Sequence, residues 1–565
     1  MTKKLYGTSA RERGGFWVLP ACGTLLVFSL AVLLQWQLRD MPFDDAFIHL
    51  RVAKNLELHG VAVFNLGERV MTTSSPLWTV VLALLGVPTH TWLLPILEAG
   101  LLTASGVLAY VLSRGLLPES SNTLAPRSMH RSRFSSIALA AIAGVLTMLL
   151  LLPSSIGQME TPLAMALLLA AVVSFEKGRS AGFPLLALAA CTRLELLPLF
   201  FVACVTAVCM KLSRSAILVA IGLLAALMGA VYMQFGVLLP NSIRAKAIGY
   251  AYHRSDIVRQ LFEAHFVRKP LVCCLTVFLG AMLVDQALSL RKHKPPLFEA
   301  IPVLAGVWGI AAMSEYVVRN TPVFEWYRPV FLLPLLICLL MYRATPTSPR
   351  WLHHTLATTR LVGMALFLLI PLWKGVVTVG AAISETPVAK SVVDRGDSTR
   401  VQEYLAVGGT LRMTCPSASM MTAEIGALGW AFDGYVLDAF GIASPRALAF
   451  QPLRSGAPVA GIPAAFALEV HPDIVVSYTA LDVEVRGNPN LMKEYELLEL
   501  PPSLRSYRSG TVQSGWHGST HLDVFLRKQG PCPVALTREA LRVAIQQGYL
   551  SDVVPAGRRR TTAQP

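Results

Sequence analysis

Chemistry in this chain would fall to a few carboxylates, cations and aromatic residues set among apolar ones. Asp44 and Asp45 follow Pro42-Phe43 and open the stretch Ala46 to His59. Adjacent carboxylates suit a general base, a metal ligand or both, and crowding pushes their pKa values apart. The plainer reading is an N-cap, because Asp before a helical run satisfies free amides. Pro240-Asn241-Ser242 opens a polar run that contains Arg244 and Lys246. Those cations suit a phosphate near a membrane surface, or are solvated charges at a helix start. On a helix the two point about 200° apart, so at most one faces a given phosphate. Arg193-Leu194-Glu195 lies in an apolar region and either holds a substrate or satisfies itself as an ion pair. Glu325-Trp326-Tyr327-Arg328 offers aromatic and cationic surface for a sugar or phosphate, or forms an interfacial anchor. Glu160 begins an apolar run, where a carboxylate also suits a helix start. His49 and His59 show no metal-ligand spacing, and His517 and His521 flank Gly518-Ser519 and read as surface.

The elements that must position these residues follow from composition. The chain has 565 residues, 54% hydrophobic and 15% charged, and its mean hydropathy is +0.54. A soluble globular chain carries about 25% charged residues, so a soluble enzyme is disfavoured, and low hydrophobicity, the mark of disorder, is missing. The net charge of +15 admits nucleic acid, anionic lipid or topology signals as its cause. Nine cysteines form no CxxC and no zinc spacing.

Apolar runs long enough for a bilayer, about 20 residues each, begin at Phe16, Trp92, Phe134, Thr161, Ala216, Leu271, Leu297, Val330 and Leu361. Lys3, Lys4, Arg11 and Arg13 place the N-terminus in the cytoplasm. The basic connectors 114–133, 177–179, 211–214, 291–294 and 343–360 then all lie inside only if Gly182 to Met210 crosses twice, as short helices turning near Arg193. Pro76 to Val87 is too short to cross and belongs at the interface. The expectation is a polytopic α-helical membrane protein with about eleven spans and its C-terminus outside. Most of the positive charge is thereby topology rather than a nucleic-acid surface. Residues 1–383 form the membrane part, with residues 37–75 as its first outer loop. Residues 384–553 read as an extracytoplasmic α/β or α+β domain, and 554–565 as a disordered tail. In the outer domain Asp473 to Tyr478 reads as a strand and 401–412 as a helix followed by a strand. Its only cysteines, Cys415 and Cys532, are either a disulfide or two thiols.

Under this topology Asp44/Asp45, Glu160, Arg193/Glu195, Asn241 to Lys246 and Glu325 to Arg328 share the outer side. Charge gathered at one mouth of an apolar bundle marks a site.

Several of these segments resemble the GT-C membrane glycosyltransferases, nearest to the mycobacterial terminal arabinofuranosyltransferase group. Asp44-Asp-Ala-Phe-Ile-His-Leu-Arg51, Lys54-Asn-Leu56 and Val63-Phe-Asn-Leu-Gly-Glu-Arg69 are similar to that family's first outer loop, ending in Ser75-Pro-Leu-Trp78. Met159-Glu-Thr-Pro162, Arg193-Leu-Glu195, Leu238-Leu-Pro-Asn-Ser242 with Ala245-Lys-Ala247, and Trp326-Tyr-Arg328 follow in family order. Glu424-Ile-Gly-Ala-Leu-Gly429 and Val436-Leu-Asp438 with Gly441 look similar in the outer domain. The chain has Arg193-Leu-Glu195 where the family often has Arg-Pro-Glu, Thr72-Thr-Ser74 in place of Gly-Tyr-Thr, and Gln158-Met-Glu160 in place of Gly-Leu-Glu. Arabinose as the sugar is therefore not implied.

The resemblance implies transfer of a sugar from a polyprenyl-phosphate donor to an envelope glycan, lipid or protein acceptor at a bacterial plasma membrane, with inversion. It makes Asp44 the catalytic base, Asp45 a neighbour that orients the acceptor or a divalent cation, and Lys246 the contact for the donor phosphate. Mg²⁺, Mn²⁺ and Ca²⁺ all stay open, with substrate phosphate completing the shell. The competing function is a transporter or flippase for a lipid-linked or anionic substrate. Many spans and the Arg193/Glu195 pair fit it, whereas the chain has no internal repeat and adds a large outer domain.

Overall fold

The computed structural model describes residues 10–39, 42–115, 128–209, 214–250, 268–290, 297–319, 323–342, 348–384, 397–453, 461–478, 481–500 and 522–546. The tail 554–565, His517/His521 and Lys3/Lys4 lie outside them. The fold is mostly helical, with one small sheet.

The helices before the sheet are α1 (Ala10–Gln37), α2 (Asp44–His59), α3 (Pro76–Leu84), α4 (Leu93–Gly115), α5 (Ser128–Ile156), α6 (Thr161–Glu176), α7 (Gly182–Thr192), α8 (Leu197–Cys209), α9 (Arg214–Phe235), α10 (Asn241–Gly249), α11 (Arg268–Leu290), α12 (Leu297–Val318), α13 (Arg328–Met341) and α14 (Arg350–Ser384). Among the described residues, the segments Leu93–Ser113, Arg214–Phe235 and Ala300–Val318 are long and apolar enough to cross a membrane. Shorter apolar helices, among them Thr161–Glu176 and Arg328–Met341, stand beside them. Their apolar residues line a shared core that includes Leu168, Phe200, Phe278 and Phe331. The outward faces are apolar too: Leu218 and Met233 on α9 are exposed, the reverse of a soluble helix.

The apolar run 182–209 breaks at Arg193. That residue is extended (φ −136°, ψ 105°), a short 3₁₀ turn covers Leu194–Leu196, and α8 starts at Leu197. Ser75, just before α3, ties the break down: its hydroxyl donates to the Thr192 carbonyl at 2.6 Å.

The sheet domain runs α15 (Asp397–Thr414), β1 (Ser419–Thr422), α16 (Ala427–Phe432), β2 (Tyr435–Asp438), α17 (Ala464–Val470), β3 (Ile474–Tyr478), α18 (Val483–Arg486), α19 (Pro489–Glu494), β4 (Tyr495–Leu500), β5 (Leu522–Arg527) and α20 (Val534–Gln546). The strand order is β2-β1-β3-β5-β4. β1 lies parallel to β2 and β3, whereas β5 is antiparallel to β3 and β4. Alternate strand residues face opposite sides. Met420, Ile474, Val476, Val524 and Leu526 enter one core, and Met421, Val475 and Phe525 the other. Cover on both faces explains why Ile474 to Tyr478 is a continuous buried run. Residues 401–412 correct the expectation of a helix followed by a strand: they lie inside the single helix α15, and the strand begins only at Ser419. Val401, Tyr404, Val407 and Leu411 keep a helical spacing of three and four and are all buried. A disulfide joins Cys415 to Cys532, with Cα atoms 5.0 Å apart.

One core passes from the first loop into the sheet domain. Phe47, Ile48, Leu50, Phe64 and Trp78 belong to the same cluster as Tyr404, Met420, Leu428 and Val436.

Candidate active site

The loop helix α2 carries two functions on different sides. On one side it holds the sheet domain. The Arg51 guanidinium donates to the carbonyls of Phe64, Gly429 and Gly434 and to Asn65. Lys54 pairs with Asp433 at 2.7 Å. Asn65 completes the outer edge of β2: its Nδ2 donates to the Val436 carbonyl at 2.8 Å, and the Val436 amide donates to its Oδ1 at 3.2 Å. Asn241 belongs to this docking surface as well, donating to the carbonyls of Gly441 and Ile442. Much of the first-loop pattern is therefore spent on joining two parts of the chain.

Asp44 is part of the docking. It is 8% exposed. Its Oδ1 accepts from the Ala427 amide at 2.8 Å and its Oδ2 from the Gly426 amide at 3.2 Å. Those amides begin α16, where free N–H groups and the helix dipole favour an anion. A Cβ on Gly426 would collide with the Asp44 carbonyl and carboxylate, so glycine is required for this approach. Burial raises the Asp44 carboxyl to about 7, against the lowering effect of Arg400 and the Ala427 amide.

On the other side of α2 the polar residues form a connected, largely buried cluster. The Lys246 ammonium, from α10, donates to the Tyr327 hydroxyl at 2.8 Å and stands 3.8 Å from the Asp45 carboxylate. It also lies 5.1 Å from the centre of the Phe324 ring. The Arg193 guanidinium sits over the Tyr327 ring, 4.6 Å from its centre. Arg193 pairs with Glu160 and, at 2.8 Å, with Glu195. Glu195 accepts a further hydrogen bond from the Tyr316 hydroxyl at 3.1 Å. Glu160 is fully buried, and a buried carboxylate is tolerable only with such partners.

His49 is the member that spacing rules for metals pass over. Its Nε2 lies 3.4 Å from Glu160, and its Nδ1 is 2.7 Å from the Thr73 hydroxyl. The signal was available in another form: Asp45 and His49 are four apart on one helix, which places them on one face.

The remaining expected residues take other places. Trp326 is buried, stacked on Phe324 at 4.8 Å and against Phe43 at 4.7 Å, and its carbonyl accepts from Thr161. It is a packed wall, not an open sugar platform. Arg328 opens α13 and is half-buried. Arg244 is exposed, while Lys246 two residues on reaches Tyr327, as their angular offset on a helix requires. A cation shared by Asp44 and Asp45 does not fit this arrangement. Asp44 turns to backbone amides and Asp45 to Lys246. Among the described residues no three His, Cys, Asp or Glu side chains gather as a metal site.

Compared with known proteins, the chain matches no family model and no curated protein.

Proposed function

We propose that the chain is a polytopic membrane glycosyltransferase of the GT-C kind. It moves a sugar from a polyprenyl-phosphate donor to an envelope glycan, lipid or protein acceptor, with inversion. The single observation that carries the reading is the polar cluster in which Lys246, Tyr327 and Arg193 meet the carboxylates of Asp45, Glu160 and Glu195. In this reading α1, α4 to α9 and α11 to α14 make about eleven spans of a bacterial plasma membrane. The N-terminus is cytoplasmic, and the cluster and sheet domain are extracytoplasmic.

The chemistry follows from charge. The leaving group is a phosphate, whose developing negative charge calls for a fixed cation. Lys246 supplies it, held by Tyr327. The sugar passes through an oxocarbenium-like state. A carboxylate of the Asp44–Asp45 pair takes the acceptor hydroxyl proton as that oxygen attacks.

The test is transfer by the purified full-length protein in lipid vesicles, supplied with a panel of radiolabelled polyprenyl-phosphate sugars and membrane glycan extract. The expected result is a labelled glycan or lipid product, with Lys246→Gln raising the KM for the donor at least tenfold. Movement of donor across the vesicle wall with no product would replace the reading by transport.

A further inference from the structure

Asp44 and Asp45 begin the same turn of α2 and leave it in different directions. Asp44 is enclosed, with each carboxylate oxygen taking one backbone amide of Gly426 or Ala427. The Asp45 side chain is 31% exposed, and its Oδ2 lies 3.8 Å from the Lys246 ammonium. Gly426 and Ala427 lie in the sheet domain, and Lys246 lies on α10. Two adjacent residues of one type are therefore assigned to two different neighbours.

We infer that Asp45, and not Asp44, is the group that takes the acceptor's proton, and that Asp44 is a positioning residue latching the sheet domain onto α2. This rests on the glycosyl-transfer reading above. A general base needs an oxygen within hydrogen-bond reach of the attacking hydroxyl. The Asp45 side chain keeps 31% of its surface exposed beside Lys246, whereas the Asp44 oxygens are turned to backbone amides under the sheet domain. The Asp45–Lys246 pair also supplies a resting state. Without donor, each charge screens the other. A phosphate arriving at Lys246 is a stronger anion for that ammonium and releases Asp45 towards the acceptor. In the step itself the acceptor oxygen bonds to the anomeric carbon and its proton passes to Asp45. The bond from that carbon to the phosphate oxygen breaks, and its electron pair leaves on the phosphate beside Lys246.

The experiment compares Asp45→Asn, Asp45→Glu and Asp44→Asn in full-length protein, using the vesicle assay and the donor that gives product. Apparent melting temperature in detergent is read alongside. Asp45→Asn should lower kcat at least 100-fold, with the melting temperature unchanged and with donor KM not raised. Asp45→Glu should recover part of kcat. Asp44→Asn should lower the melting temperature and expose the junction to protease while keeping more of kcat than Asp45→Asn. Loss of turnover in Asp44→Asn at the wild-type melting temperature, with Asp45→Asn within tenfold of wild type, would overturn the assignment. Equal losses in both at unchanged melting temperature would overturn it too. Failure of the wild type to make product from any donor removes the glycosyl-transfer reading itself, and the assignment with it.

Discussion

The junction around Asp44 and the polar cluster around Asp45 share a helix and a residue type, yet differ in what meets the carboxylate. At the junction the partners are mostly backbone: the amides of Gly426 and Ala427 for Asp44, and the carbonyls of Phe64, Gly429 and Gly434 for Arg51. In the cluster the partners are side chains: Lys246 with Tyr327 and Asp45, Arg193 with Glu160 and Glu195. Backbone partners fix a position and do not titrate. Side-chain partners can be exchanged for a ligand's phosphate or hydroxyl. The difference separates a region built to hold from one built to bind.

The comparison breaks most visibly at Arg193. Replacing it by Met leaves Glu160 fully buried with only His49 beside it, and removing one partner of a buried pair costs about 3–5 kcal/mol. The apparent melting temperature in detergent should fall accordingly. An unchanged value would mean that the cluster's charges are wet and the buried pair is not structural. Next is Gly426→Ala, whose Cβ has no room beside Asp44. Overpacking of this kind costs about 1–3 kcal/mol and should loosen the sheet domain first, read as faster amide exchange over 426–432. Exchange that is faster around the cluster instead would contradict the division.

A pH dependence sharpens the same contrast. Burial moves Asp44 from 3.8 to about 7. An acid whose folded pKa is raised contributes its stabilisation fully below pH about 4 and loses it as pH rises towards 7. Asp438, raised to about 6 by its own burial, shares the sign. The informative quantity is therefore the difference between wild type and Asp44→Asn. That difference should shift steadily against wild type as pH rises from 4 to 8, and a flat difference would show that Asp44 stays charged throughout. The smallest effect belongs to Lys54→Ala. Its pair with Asp433 is 25% and 40% exposed, so about 0–1 kcal/mol is expected, falling further in high salt. A larger loss would mean that the rim of the junction is as dry as its centre.

Several members of the polar cluster were legible in the sequence: Arg193 with Glu195, Glu160 and Tyr327 as polar types beside apolar runs, and Lys246 in a short polar run. Angular spacing already separated Lys246 from Arg244. The division between Asp44 and Asp45 was not legible. Which way each of two adjacent side chains leaves a helix end depends on what docks there, and Gly426 is 382 residues away. The partners of Arg51 at Gly429 and Gly434 are as distant. Trp326 illustrates a second limit. An aromatic beside an arginine has the same composition whether its face is open or stacked, and only the positions of Phe324 and Phe43 decide. In the sheet domain the alternation of Ile474 to Tyr478 was hidden because both faces are covered. The strand was still recognisable from its β-branched residues.

Asn65 has a consequence for handling the sheet domain by itself. Its amide supplies one donor and one acceptor to Val436, standing in for a single residue of a missing neighbouring strand. Among the described residues β2 is an edge, with only β1 beside it. Cut away from residues 42–115, the domain would bare an unpaired strand together with the apolar faces that Phe47, Ile48 and Phe64 had covered. Bare edges recruit other copies. Residues 397–546 produced as a free fragment should therefore self-associate, and supplying a peptide that spans the first loop should return them to single molecules.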